Sequence, residues 1–160
     1  MPRSGRAHER RGAGVAIDLL LVEDNPGDVR LTEETFRRVN DGVRLHVAAD
    51  GVEAMSFLRR EGAYLRAPRP VLILLDLNLP RLDGREVLSL IKADEQLMTI
   101  PVLVLTLSDA PADVRNSYQG HANCYLKKPL SLEEFQDLIL SVNRFWLTNV
   151  MLMRHRKGGP

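Results

Sequence analysis

The segment Leu72–Gly84, with the sequence LILLDLNLPRLDG, places a carboxylate directly after an apolar run. A run that is apolar at consecutive positions is typical of a strand covered on both faces in a parallel sheet. Asp76 follows the run, so we expect its side chain at the carboxyl end of a central strand. Ligands of open α/β sheets bind outside those strand ends. The segment therefore predicts both the middle of a sheet and a functional carboxylate.

Around this segment the apolar pattern alternates between strand-sized and helix-sized stretches. The predicted strands are Ile17–Val22, Val43–Ala48, Val71–Leu75, Val102–Thr106 and residues 122–127, each followed by a helical pattern. Strict βα alternation with short connections predicts right-handed crossovers and helices on both faces of the sheet. The expected fold class is therefore α/β, a doubly wound domain with a five-stranded parallel sheet.

Two of the helices carry start signals in the sequence. Pro26 stands at the first position of the first helix, where its missing N–H costs nothing. Ser131 and Glu134 form a capping box at the start of the last helix. Helical spacing predicts one apolar face on each helix, made of Val29, Thr32, Phe36 and Val39 in the first and of Leu132, Phe135, Leu138, Ile139, Val142 and Phe145 in the last.

Polar groups follow four of the predicted strands, at the edge where all their carboxyl ends meet. They are Glu23 and Asp24 after the first strand, Asp76 after the third, Thr106 after the fourth and Lys128 after the fifth. Three carboxylates held together repel one another unless a cation neutralises them. Oxygen ligands without histidine or cysteine favour a hard ion, and this set suits Mg²⁺. An ammonium and a hydroxyl beside the metal suit an oxyanion, so we expect a phosphoryl group, either bound or covalently attached to a carboxylate.

Composition limits the remaining possibilities. The chain has 160 residues, 44% of them hydrophobic, and a formal net charge of +1, which predicts no bulk attraction to nucleic acid or to a membrane. The single cysteine, Cys124, predicts a cytoplasmic protein without an intrachain disulfide. Neither a signal peptide nor a membrane span is expected. We expect a basic flexible tail over residues 1–15, one domain over 16–147 and a second tail over 148–160.

Four stretches, LLVEDN, ILLDLNLPRLDG, VLVLT and YLKKP, resemble in this order the receiver domain of two-component response regulators. The resemblance covers the chain from about Ile17 to Val142. It implies a flavodoxin-like (βα)5 fold with the strand order 2-1-3-4-5. It also implies that Asp76 accepts a phosphoryl group from a sensor histidine kinase in a Mg²⁺-dependent reaction.

The same resemblance implies roles for individual residues. Asp24, Asp76 and the backbone carbonyl of Asn78 would hold Mg²⁺, and Glu23 would act through water. Lys128 matches the lysine that precedes a proline in the family, and the Lys128–Pro129 bond is expected to be cis. Thr106 and Tyr125 match the family's switch pair, in which the hydroxyl moves to the phosphoryl oxygen and the aromatic ring turns inward.

A narrower resemblance is to the single-domain regulators that partner bacterial phytochromes. It is carried by VEDNPGDVRLTEETF, IPVLVLT and FWL, the last of these at Phe145–Leu147. It implies a homodimer, for which Phe145 and Trp146 are the candidate contacts, and output through protein contacts. The chain after Trp146 is expected to be too short for a DNA-binding domain.

One departure from the family and two alternatives remain. Leu107 stands where receivers usually have a small residue, so phosphodonor access is in question, while Asn78 and Ser108 occupy positions that commonly tune hydrolysis. A haloacid dehalogenase-type hydrolase would need a second aspartate where Asn78 stands. A pseudo-receiver that takes no phosphate and serves as a scaffold is the other alternative, and Leu107 is its support.

Overall fold

The structure, a computed structural model, describes residues 15–154. Its strands are β1 (Ile17–Val22), β2 (Val43–Ala48), β3 (Leu72–Leu75), β4 (Val102–Thr106) and β5 (Cys124–Lys127). Its α-helices are α1 (Pro26–Val39), α2 (Gly51–Arg59), α3 (Gly84–Ala93), α4 (Pro111–Gln119) and α5 (Leu132–Val142). A 3₁₀ turn at Gly62–Tyr64 has no counterpart in the sequence-based prediction. The last helix, predicted to include Phe145, is an α-helix only to Val142 and continues as a π-helix at Asn143–Asn149.

The five strands form one parallel sheet in the order β2-β1-β3-β4-β5, which confirms the expected fold class and strand order. β3 lies between β1 and β4, and all four of its side chains are fully buried. The prediction that this segment forms the middle of the sheet is therefore confirmed. Asp76 follows β3 directly, at the carboxyl edge.

Two apolar cores lie on opposite faces of the sheet, because successive side chains of a strand point to opposite faces. Leu20, Ile73 and Leu75 contribute to the core that includes residues of α2 and α3. Leu19 and Leu74 contribute to the core that includes residues of α1 and α5. The sheet is covered on both sides, so ligands reach it only at its edges.

The helix starts agree with the sequence-based signals. Pro26 begins α1 after Asn25, whose side chain caps the helix, and the Ser131 hydroxyl accepts a hydrogen bond from the Glu134 backbone N–H at 3.1 Å. The expectation that Val39, Leu132 and Phe145 belong to buried faces is wrong, since all three side chains are exposed. Val39 is the last residue of α1, Leu132 is the first of α5, and Phe145 lies beyond α5 in the π-helix.

The C-terminal segment packs on the domain as far as Leu152. Thr148 and Asn149 complete the π-helix, and Leu152 contacts the core on the α1 and α5 face. The predicted N-terminal tail, apart from Val15, and residues 155–160 of the predicted C-terminal tail lie outside the described residues. Within residues 15–154 no helix has the length and apolar character needed to cross a membrane.

Candidate functional site

Three carboxylates converge at the carboxyl ends of β1 and β3. One oxygen from each of Glu23, Asp24 and Asp76 lies within 4.8 Å of the others. Parallel pairing of β1 with β3 brings them together, because Val22 is paired with Leu75 and the acidic residues follow these two positions. Glu23 and Asp76 are buried, whereas Asp24 is exposed. A set of oxygen donors with one solvent-facing member suits a hard divalent cation that keeps some of its water.

The Lys128 ammonium lies among these carboxylates. Its Nζ is 3.0 Å from an Asp76 oxygen and 3.0 Å from an Asp28 oxygen, and it also contacts Glu23. The Lys128 side chain is only 4% exposed. With Asp24 included, four formal negative charges face one formal positive charge. The cluster is therefore still electronegative after Lys128 is counted, which favours binding of a further cation.

Asp28 belongs to this cluster, and sequence reasoning missed it. It lies in the first turn of α1, and its backbone N–H donates to the Asn25 side chain at 3.0 Å. A carboxylate in the first turn is favoured by the positive end of the helix dipole. That position was a signal in the sequence, but the contact with Lys128 joins residues 100 positions apart and depends on the fold.

Burial shapes the ionisation of the central pair. It raises the pKa of Glu23 from 4.5 to about 7, against the opposing effects of the Lys128 ammonium and the Asn25 backbone N–H. Burial alone would lower the pKa of Lys128, but the hydrogen bond and charge of Glu23, together with the charge of Asp76, raise it overall. Lys128 therefore remains a cation at neutral pH.

The loop after β3 closes tightly behind Asp76. A side chain at Gly84 would place its Cβ 2.1 Å from the Asp76 backbone oxygen, and the Gly84 N–H donates to the Leu77 oxygen at 2.9 Å. The Asn78 backbone N–H donates to the second Asp76 carboxylate oxygen at 3.1 Å. Both carboxylate oxygens of Asp76 are thus oriented, one by Lys128 and one by the loop.

The β4 and β5 side of the site is arranged differently. Thr106 is fully buried, and its hydroxyl has no hydrogen-bond partner among the described residues. The Tyr125 hydroxyl donates to the Ser108 backbone oxygen at 2.8 Å, so it does not bond to Thr106. The Leu107 side chain is 56% exposed. A buried hydroxyl without a partner is uncommon and costs free energy, so Thr106 retains an unused donor.

The Lys128–Pro129 peptide bond is trans, since residues 15–154 contain no cis peptide bond. The expectation of a cis bond is therefore wrong. Trans is the ordinary form of an X–Pro bond, favoured by about 0.5–1 kcal/mol. The Lys128 backbone N–H donates to the Thr106 oxygen at 2.7 Å, so pairing with the end of β4 extends to Lys128 with the bond in this form.

The two C-terminal aromatic residues differ in environment. Phe145 is 55% exposed, whereas Trp146 is half-buried against the core on the α1 and α5 face. Their ring centroids are 5.7 Å apart and the ring planes meet at 87°. Of the two, Phe145 is the one that offers apolar surface to solvent.

Comparison with known proteins identifies the family. A protein-family model, that of the response regulator receiver domain, matches residues 19–140 of the chain. The chain belongs to the response regulator receiver family. A relative, the response regulator Rcp1 of the cyanobacterium Synechocystis sp., is 46% identical over 134 residues, which are 84% of this chain and 91% of Rcp1.

Solved structures of receivers agree with this assignment. The crystal structure of Rcp1 in its Mn²⁺-bound form has a TM-score of 0.83 at 45% identity, over 86% of this chain and 99% of that one. The phosphorylated cyanobacterial phytochrome response regulator RcpA has a TM-score of 0.83 at 44% identity, over 86% and 98%. Response regulator RPA3017, of red light signalling in R. palustris, has a TM-score of 0.79 at 30% identity, over 87% and 99%.

These comparisons confirm the resemblance to receivers and the narrower resemblance to phytochrome-associated regulators. This receiver is therefore a member of a signalling family. The haloacid dehalogenase interpretation is set aside, because the receiver model matches the chain through all four motifs.

Proposed function

We propose that this receiver is a phosphorylation-dependent signalling protein whose Asp76 accepts a phosphoryl group from a histidine of a sensor kinase. The arrangement of Asp76 carries the proposal. Its carboxylate lies at the end of a fully buried strand, with one oxygen held by Lys128 at 3.0 Å and the other by the Asn78 N–H at 3.1 Å. A nucleophile held in this way is aimed before its substrate arrives, which lowers the entropic cost of the transfer.

The proposed reaction is a single displacement at phosphorus. An Asp76 carboxylate oxygen forms the new bond to phosphorus, the bond between phosphorus and the kinase histidine nitrogen breaks, and the electron pair stays on that nitrogen. Lys128 is within hydrogen-bond distance of Asp76 and supplies positive charge for a phosphoryl oxygen. The unused hydroxyl of Thr106 supplies a donor for another. The phosphoryl group is transferred to the protein itself and not to a separate substrate, so we propose a phosphoacceptor and not an enzyme.

Mg²⁺ is the proposed cofactor. Asp24, Asp76 and the backbone carbonyl of Asn78 would hold it, with Glu23 acting through water, and the oxygen-only character of this set matches its preference. When bound, the ion would neutralise charge that develops on the phosphoryl oxygens.

Thr106 and Tyr125 are the proposed switch pair. The Thr106 hydroxyl has no partner within residues 15–154, while the Tyr125 hydroxyl is bonded to Ser108. A phosphoryl oxygen on Asp76 would give the Thr106 hydroxyl a partner and so favour a second packing of the β4 and β5 side. If phosphorylation changes the free-energy difference between the two packings by about 3 kcal/mol, the packing that predominates changes.

Intact mass after incubation with acetyl phosphate tests the function, with and without Mg²⁺, on wild type and Asp76→Asn. We expect a Mg²⁺-dependent gain of one phosphoryl group on wild type only, because acetate is the leaving group in place of the kinase histidine. Equal labelling of Asp76→Asn would place the acceptor elsewhere. Circular dichroism of the variant controls for its fold.

A pseudo-receiver scaffold is the second candidate, and the large residue at position 107 is the observation that favours it. The Leu107→Ala variant distinguishes a restricted site from a scaffold. Uptake by Leu107→Ala but not by wild type would show that Leu107 restricts the donor. Absence of uptake in both would support the scaffold.

The proposed setting is cytoplasmic. The proposed partners are a sensor histidine kinase, of the phytochrome type by analogy with RcpA, and a second copy of this chain, without nucleic acid or membrane. The exposed Phe145 supports the homodimer, because burying a large apolar side chain against a partner lowers the free energy of the complex.

We expect Phe145→Ala to shift the light-scattering mass toward the monomer more than Trp146→Ala does. Unchanged mass in both variants at low micromolar concentration would contradict the proposed contact.

A further inference from the structure

A chain of polar contacts connects the loop behind Asp76 with the loop that follows Thr106. It begins at Arg85, in the first turn of α3 and next to Gly84, which packs on the Asp76 backbone. The Arg85 guanidinium donates to Asp83 at 3.1 and 3.2 Å and to one Asp113 oxygen at 2.8 and 3.0 Å. One side chain therefore ties the start of α3 to the first turn of α4.

Asp113 also contacts the loop between β4 and α4, and so connects Arg85 with that loop. Its second carboxylate oxygen accepts a hydrogen bond from the Ser108 hydroxyl at 2.6 Å. The backbone oxygen of the same serine accepts the Tyr125 hydroxyl at 2.8 Å. Ser108, two residues after Thr106, is thus held from two sides, by Asp113 of α4 and by Tyr125 of β5.

These polar contacts matter because α4 buries few side chains and because its hydrogen bond with β5, from the Tyr125 backbone N–H to the Tyr118 hydroxyl at 3.2 Å, lies in its last turn. Ser117 is its only buried residue, whereas α3 buries Gly84, Val87, Leu88 and Ile91. Ala110, the residue before α4, provides no side-chain cap. Displacing an element with few buried apolar contacts costs little free energy. The position of the N-terminal end of α4 therefore depends strongly on its bonds to Arg85 and Ser108.

We propose that Arg85 is a positioning residue, which acts through Asp113 and Ser108 to hold residues 107–110 and Tyr125 in the arrangement seen here. This inference rests on the proposed function, in which a phosphoryl oxygen attracts the Thr106 hydroxyl. Movement of Thr106 would pull on the loop that follows it, and the tie to Arg85 opposes that pull. Loss of the tie shifts the equilibrium toward the packing that phosphorylation favours.

Fluorine NMR of protein labelled with 3-fluorotyrosine tests the tie before any phosphorylation. The chain has three tyrosines, so the Tyr125 signal is assigned by its absence from Tyr125→Phe. We expect Arg85→Ala and Asp113→Ala to move this signal in the unphosphorylated protein. Because the two residues act as one unit, the double variant should match Asp113→Ala alone.

Arg44→Ala is the matched control. Arg44 makes a two-bond ion pair with Asp18, at 2.9 and 3.0 Å, on β1 and β2 and away from these loops. This substitution also removes a surface arginine from a carboxylate, and it should leave the Tyr125 signal in place. An unmoved signal in Arg85→Ala, or an equal shift in Arg44→Ala, would overturn the inference whether or not the protein takes up phosphate.

The rate of uptake from acetyl phosphate provides the second measurement. We expect Arg85→Ala to take up the phosphoryl group about fivefold faster than wild type, a typical effect of coupling between sites. The Mg²⁺ concentration for half-maximal rate should not change, because Arg85 contacts none of the proposed metal ligands. A moved Tyr125 signal without faster uptake would refute the link to phosphorylation. Absence of uptake by both wild type and Leu107→Ala would refute the proposed function, and the NMR comparison would then stand alone as the test of the tie.

Discussion

The two halves of the site show opposite states of polar pairing. On the β1 and β3 side, Lys128 contacts Glu23, Asp28 and Asp76, so each buried charge has a partner. On the β4 and β5 side, the Thr106 hydroxyl is buried without a partner among the described residues. The first half is assembled before a phosphoryl group arrives, whereas the second contains a donor without an acceptor. This difference supports the proposed function, in which the charged half would perform the chemistry and the other half would respond to it.

Removal of the ammonium should break the charged half and have the largest effect. In the absence of metal, we expect Lys128→Met to lower the free energy of unfolding by about 3–5 kcal/mol, because breaking a buried ion pair leaves uncompensated charge. Added Mg²⁺ should recover part of this loss by neutralising the carboxylates. Urea unfolding with and without Mg²⁺ measures both values, and Lys127→Met, which affects an exposed lysine, is the control.

Equal stability of the two lysine variants would show that the Lys128 contacts contribute little. The distinction between a paired half and an unpaired half would then have no energetic basis.

The raised pKa of Glu23 predicts a pH dependence in the metal-free protein. Its pKa is about 7 when folded and 4.5 ordinarily, so between these values the folded state binds more protons than the unfolded state. Stability from this group is present below pH 4.5 and is lost as pH rises to about 7. We expect the loss, relative to Glu23→Gln, to be on the order of 3 kcal/mol.

Urea titrations from pH 4.5 to 8 check this difference between wild type and Glu23→Gln. Saturating Mg²⁺ should reverse the trend in wild type, because the ion stabilises the ionised carboxylate. Parallel curves for the two proteins would mean that burial does not perturb Glu23.

The Thr106 hydroxyl should contribute to function and not to stability, which would sharpen the comparison. We expect Thr106→Val to change the free energy of unfolding by less than about 1 kcal/mol, or to increase it, because valine has nearly the same shape and no unpaired hydroxyl. The variant should nevertheless take up the phosphoryl group more slowly. Thr106→Ser, which keeps the hydroxyl, should retain more of the rate.

A marked loss of stability in Thr106→Val, measured by urea unfolding, would indicate that the hydroxyl already has a partner in solution. The two halves would then be alike in their polar pairing.

Periodicity was sufficient to predict the sheet and the positions of most candidate site residues. Consecutive apolar residues predicted that β3 is central, and βα alternation placed Glu23, Asp24, Asp76, Thr106 and Lys128 at one edge. These predictions held because parallel strands must align their carboxyl ends, whatever the details of packing. Predictions for helix ends failed at Val39, Leu132 and Phe145, because helical periodicity does not encode where a helix stops packing on the rest of the domain.

What the sequence determined by itself is therefore the order of the elements and the residues that meet at the strand ends, because both follow from local pattern and chain direction. Only the tertiary structure decided that Asp28 joins Lys128, that Tyr125 bonds to Ser108 and that Arg85 reaches Asp113. These contacts join elements far apart in the chain through long side chains with several rotamers. Their partners are set by the distances and angles at which helices and loops pack, and no local sequence pattern encodes those distances.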